Sequence, residues 1–193
     1  MAKIRAKTGN ITVEEYVNTV KSFHGYAAPG VIIGGFMVNL AHQHLPDGIL
    51  LDAISETEVC LPDAVQLLTP CTIGNGWLKV FNFGRFAITL YDKDSGNGIR
   101  VYIDTEKLEK WPEIKSWFFK LIPKKEQDAE KLLQQIMEAG AGICSYQKVK
   151  VDLAPLSKKH RAKLTVCPRC KESYPAADGA ICRGCQGQAP YLK

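Results

Sequence analysis

Two Cys-x-x-Cys pairs near the C-terminus, Cys167/Cys170 and Cys182/Cys185 with 11 residues between them, constrain this chain more than any other feature. Each pair fits a tight turn that aims both sulfurs at one point, so four thiolates can close a tetrahedral shell around zinc. Two disulfides or a redox dithiol are the alternative, disfavoured because both pairs share one short, Gly-rich, hydrophobe-poor stretch. That stretch, from about Thr165 to the end, holds too little apolar surface to fold unaided. The metal is therefore expected to supply most of its folding free energy, on the order of 10 kcal/mol. A filled four-sulfur shell leaves no position for water or substrate, so the site reads as structural or recognitional.

The 193 residues, 46% of them hydrophobic, suffice for one substantial core plus a small appendage. We read a core domain over residues 1–152, a linker over 153–164 and a zinc finger over 165–193. The N-terminus, Met1-Ala2-Lys3-Ile4-Arg5, leads into polar residues and shows no secretory signal. The longest apolar stretch, Ala27 to Ala41, is broken by Pro29, three glycines and Asn39 and is too short to span a bilayer. With four cysteines committed to metal, Cys60, Cys71 and Cys144 remain, an odd number that suits a reducing compartment. The expectation is a cytoplasmic protein with no membrane partner. The net charge of +5 is uneven: from Lys158 onward eight Lys/Arg face two acids, a net of +6 that leaves about −1 on the rest. Such a basic module suits either an acidic partner, whether nucleic acid or protein, or a simple solvated surface.

Thr12-Val13-Glu14-Glu15 has the form of a capping box, and Val13, Tyr16, Val17 and Val20 follow at helical spacing, which predicts a helix ending near His24-Gly25. Pro29 suits the first turn of a second helix running to about His44. Its glycines at 30, 34 and 35 are poor helix formers unless another backbone packs closely on them. A strand is expected over 49–58, a short helix over Leu61–Leu68 and a loop from Thr69 to Gly76. Strands at 77–81, 86–91 and 99–103 follow, the last two joined by a turn-rich hairpin. Helical patterns return at about 107–120 and 124–139, with a final strand over 146–151. Helices, a meander and helices again make an α+β order, a mixed helix and antiparallel-sheet core.

His24 at a helix end, Cys60 at a strand-to-helix junction and Cys71 in the Gly-rich loop all lie where side chains can converge on a cleft. Imidazole and thiolate can ligate a borderline metal, and a Cys–His pair is also the minimal nucleophile and base. Asp63 and Gln66 stand one helical turn apart, able to face the same cleft.

The series Phe23-His24-Gly25-Tyr26-Ala27-Ala28-Pro29-Gly30, then Cys60-Leu61-Pro62-Asp63-Ala64-Val65-Gln66, then Thr69-Pro70-Cys71-Thr72-Ile73-Gly74-Asn75-Gly76 resembles the E-subunit family of formylmethanofuran dehydrogenase, some members of which also carry a four-cysteine finger. The resemblance implies an α+β core, a treble-clef finger, a homodimer, and a metal or ligand cleft lined by His24, Cys60 and Cys71. Tyr26 replaces the family's usual second histidine, and Ala28 a frequent cysteine. A second metal in the core would therefore draw on Asp63, Gln66, Tyr26 or water. The redox centres of that dehydrogenase lie in its other subunits, so the resemblance implies an accessory protein, able to join a molybdenum or tungsten enzyme, more than a stand-alone enzyme. Nucleic-acid binding through the basic finger is the alternative, although only Tyr174 and Tyr191 there could stack on bases. A third reading takes Cys60 or Cys71 as nucleophile with His24 as base.

Overall fold

The computed structural model describes residues 3–7, 9–156 and 163–191. The chain divides into two compact units, Met1–Asp152 and Leu153–Lys193. The expected linker at 153–164 lies partly outside the described residues, at 157–162.

The larger unit opens with an antiparallel hairpin of β1 (Lys3–Ala6) and β2 (Gly9–Thr12) that the hydrophobic pattern does not announce. Thr12 then caps α1 (Val13–His24): its hydroxyl accepts from the Glu15 amide while Glu15 reaches back to the Thr12 amide. Gly25 closes the helix in the left-handed conformation, at φ 93°. Next, α2 (Pro29–His44) is apolar around most of its circumference and is accordingly the central helix, buried almost continuously from Gly30 to Val38. A β-carbon on Gly35 would lie 2.2 Å from the ring of buried Tyr16, whose hydroxyl donates to the Val31 carbonyl at 2.7 Å. The absent side chain is what lets α1 cross α2.

The sheet runs in the order β4 (Leu78–Val80), β3 (Leu51–Ser55), β5 (Ala87–Asp92), β6 (Asn97–Ile103), β7 (Cys144–Lys150). Every pairing is antiparallel except β3 with β4, which is parallel because α3 (Leu61–Leu68) forms a crossover between them. Helix α2 packs on β5 and β6. This is the α+β class, with one parallel edge pair in an otherwise antiparallel sheet.

The helix expected over 107–120 is two elements, a 3-10 helix at Thr105–Lys110 and α4 at Pro112–Phe119. Pro112 lacks an amide hydrogen and forces Trp111 out of the helical region, to φ −128° and ψ 76°. The next helical pattern likewise resolves into a short 3-10 turn and α5 (Ala129–Ala139), which Asp128 caps through the amides of Glu130 and Lys131. Among the described residues, no helix is long and apolar enough to cross a membrane.

In the smaller unit, β8 (Leu164–Val166) pairs antiparallel with β9 (Ser173–Pro175). The first cysteine knuckle is itself the turn of this hairpin. Asp178-Gly179 ends a 3-10 turn at Ala176–Asp178, with Gly179 at φ 113°.

Candidate metal centre and core groove

The ligand atoms of Cys167, Cys170, Cys182 and Cys185 lie within 4.8 Å of one another. Tetrahedral zinc with bonds of about 2.3 Å sets its sulfurs about 3.8 Å apart, and Cys170 Sγ stands 3.7 Å from Cys182 Sγ. No disulfide joins them. Backbone amides point at the sulfurs, with Cys182 N–H donating to Cys167 Sγ at 3.5 Å and Cys185 N–H to Cys182 Sγ at 3.4 Å. Amides of Cys170 and Cys182 hold the Cys167 thiol down, to about 6, whereas desolvation and the neighbouring thiols push Cys185 up to about 12, since four thiols this close do not all ionise without a cation between them. Arg169 ties the two knuckles by donating to the Cys185 carbonyl at 2.9 Å. The four residues fit a structural zinc ion with no open coordination position.

In the core, α1 delivers His24 at its C-terminal end and α3 delivers Asp63 in its first turn. His24 Nδ1 donates to Asp63 Oδ2 at 2.6 Å, and both side chains are largely but not wholly covered. A carboxylate on Nδ1 fixes the ring so that, in the neutral imidazole, Nε2 carries the free lone pair. Asp63 thus orients the His24 ring from behind, at the nitrogen opposite the free lone pair. Cys60 precedes Asp63 in a tight three-residue turn closed by the Leu61 amide on the Val59 carbonyl at 2.7 Å. Its backbone, at φ 62° and ψ −52°, is strained for a residue with a β-carbon. A β-carbon on Gly30 would meet the Cys60 sulfur at 2.8 Å, so that glycine seats the thiol against α2.

Cys71 and Gln66 are not part of this assembly. Cys71 is fully buried and its thiol donates to the Leu51 carbonyl at 3.2 Å. The Gln66 side chain turns to its own loop, accepting from the Ile73 amide at 3.1 Å. Asn75 and Thr72 cross-link that loop through each other's amides. Among the described residues, the four finger cysteines are the only set of three or more His, Cys, Asp or Glu placed to hold one metal ion. Nor do the thiols look like nucleophiles. Burial, then the Asp63 charge, pushes Cys60 up, although it stands just ahead of the α3 N-terminus. Burial pushes Cys71 up to about 11 and Cys144 to about 12.

The sequence does not foretell the groove that opens next to His24. Tyr26, whose ring lies 5.2 Å from that of His24, forms one end with Ala27 and Pro29. The segment from α4 to α5 forms the rest: Trp117, Leu121, Ile122, Pro123, Leu132 and Leu133 enclose about 970 Å³, with Lys120, Lys124, Gln127 and Glu130 as polar members. Four aromatics, Trp111, Trp117, Phe118 and Phe119, fall within nine residues beside the groove. In the structure Trp111, Trp117 and Phe118 pack on the core, and Phe119 remains exposed. The usable signal is the apolar Leu121-Ile122-Pro123 placed between two helices.

Comparison with known proteins agrees with this geometry. Residues 158–192 match a family described as FmdE treble clef zinc finger. Over its whole length the chain is 53% identical to a protein of Syntrophus aciditrophicus whose crystal structure is described as FmdE-like, FmdE being the E subunit of a tungsten formylmethanofuran dehydrogenase; all of that chain is covered and the TM-score is 0.88. It is also 30% identical over 190 residues to a probable S-adenosyl-L-methionine-binding protein of Archaeoglobus fulgidus; that match takes in 86% of this chain and 51% of the relative, so the chain spans about half the relative's length. Residues 23–151 match the family described as "FmdE, Molybdenum formylmethanofuran dehydrogenase operon", and the chain, with its oriented His24, its α+β core and its four-cysteine finger, belongs to that family.

Proposed function

We propose that this protein is a metal-binding accessory protein of the FmdE type, with a second metal or ligand position in the core at His24 and a basic finger that contacts a partner. The observation that carries the reading is the 2.6 Å His24–Asp63 hydrogen bond, the arrangement by which proteins orient a metal-binding imidazole. The strained turn at Cys60, one helical turn before Asp63, supports it, since such strain gathers at ligand sites. His24 Nε2 would be the protein's anchoring ligand there, with Cys60, Tyr26 and solvent as candidates for the other positions. Metal analysis of a Cys182→Ser, Cys185→Ser variant tests this: metal retained by that chain and lost on adding His24→Ala is the expected result. A chain that holds no metal once its finger is broken overturns the core position.

The finger, with its excess of positive charge, suits an acidic protein surface, and we place such a surface on a molybdenum or tungsten enzyme in the cytoplasm. The nucleic-acid alternative is weakened by Tyr174, which is buried and donates to the Gly179 carbonyl at 2.8 Å, leaving Tyr191 as the exposed finger aromatic. Salt-sensitive retention of nucleic acid on purification would revive it. The core is further proposed to pair as a homodimer, because Phe81 and Phe83 stack on each other while exposed and Val59 is exposed as well. Light scattering should return a mass near twice the 21.4 kDa of one chain; a monomer at micromolar concentration rejects the pairing. S-adenosylmethionine, the ligand named for the archaeal relative, carries more positive than negative charge. The groove rim sets Lys120 and Lys124 against Glu130 alone, which disfavours that ligand here.

A further inference from the structure

The groove between Tyr26 and α5 is large enough for a small organic ligand, and its chemistry specifies which kind. Its volume of about 970 Å³ is at the upper end of ordinary small-molecule sites, about 300–1,000 Å³. The walls are aromatic and aliphatic: Trp117, Leu121 and Leu133 present no charge to whatever lies between them. Leu121 is 63% exposed, although a leucine loses free energy by facing water. Charge is confined to three side chains, Lys120, Lys124 and Glu130, none of them in an ion pair among the described residues. Their sum is a single positive charge. Lys124 stands at the Tyr26 end, its Nζ 5.4 Å from the ring centroid, so the cation that would meet a ligand head group sits at the end nearest His24.

We propose that this groove binds a monoanionic amphiphile, a carboxylate on an apolar aromatic or acyl body, with the carboxylate at Lys124 and the body along Trp117, Leu121 and Leu133. A polyanion would meet Glu130, and a cation would meet both lysines. A small anion meets both features at once, its charge at the lysines and its body along the apolar walls; a second copy of this chain is the competing occupant that the test below separates. The site stands whether or not His24 holds a metal.

Matched naphthyl probes test the charge rule on the full chain. Titration calorimetry with 1-naphthaleneacetate, 1-naphthalenemethanol and 1-naphthylmethylammonium should show saturable binding of the anion, at least tenfold weaker binding of the neutral probe and no binding of the cation. Lys124→Glu should weaken the anion by about tenfold or more, the equivalent of about 1.4 kcal/mol, and Leu121→Glu should abolish binding. Both side chains are exposed, so the variants should keep the wild-type circular dichroism and melting temperature. Equal affinity for the three probes, binding of none, or an unchanged affinity in Lys124→Glu overturns the proposal. So does anion binding that falls as protein concentration rises while light scattering shows self-association, because a second copy would then be the occupant.

Discussion

Glu56 is the most heavily engaged charge in the core unit. Arg100 donates to both of its oxygens, at 2.5 and 2.8 Å, and Arg85 adds a contact at 2.7 Å from the exposed side. The Arg100 hydrogen bonds hold the Glu56 carboxyl below the usual carboxylate range despite burial. A folded-state value below the unfolded one means the stabilisation is complete above the unfolded pKa of about 4.3 and is lost as pH falls through the folded value. Glu56→Gln should therefore cost about 3 kcal/mol at pH 7, because it strands a largely buried guanidinium. The difference from wild type should shrink as pH falls below about 4. Urea melts at pH 7 and pH 3 check this, and a constant gap between the two proteins would show that Glu56 carries no such linkage. Nothing in the order of residues pairs Glu56 with Arg100, since the register of β3 on β5 and of β5 on β6 brings them together. The same limit applies to the core site. His24 and Asp63 are legible as candidates because each falls at a helix end, where side chains are free to meet. Cys71 and Gln66 look equivalent in sequence, but the Thr72–Asn75 cross-links and the Leu51 carbonyl turn them elsewhere. Loop hydrogen bonds of that kind leave no periodic trace.

The elements that can be read from sequence are those with strong local chemistry at their ends. Thr12 and Glu15 announce α1, Pro29 opens α2, and Pro62 behind Cys60 opens α3. What escapes is short or interrupted. The β1–β2 hairpin offers Ile4 as its one fully buried side chain, too little for alternation to register. The parallel β3–β4 pair depends on a crossover that a hydrophobic pattern cannot distinguish from another meander. The groove arises at the break between α4 and α5, where the apolar Leu121-Ile122-Pro123 that joins the two helices becomes a wall of the site. Because α1 holds His24 at its far end, its capping box bears on the site as well as on stability. Thr12→Ala should cost about 1 kcal/mol, visible as a lower melting temperature, with the His24–Asp63 contact preserved because α2 and α3 both pack on α1. A variant as stable as wild type would mean that the β1–β2 hairpin, not the cap, fixes where α1 begins.

At the scale of the whole molecule the two units draw on different sources of stability. The core unit has a continuous apolar interior from Ile4 to Cys144, whereas the described part of the finger buries only Cys167 and Tyr174. A unit with so little apolar burial cannot offset the conformational entropy of ordering its residues, so metal binding has to supply the difference. All three tryptophans, Trp77, Trp111 and Trp117, belong to the core unit, which gives the two units separate reporters. Removing zinc with a strong chelator at neutral pH should collapse the amide resonances of residues 163–191 into the narrow range of unfolded chain. Tryptophan emission and the main thermal transition should stay where they were. Cys182→Ser should reproduce that state without chelator, because three sulfurs with one water in the fourth position hold zinc less tightly than the full tetrahedral set. Well-dispersed finger resonances in zinc-free protein would show that the finger folds without its metal. A red shift of tryptophan emission on chelation would show that the core leans on it.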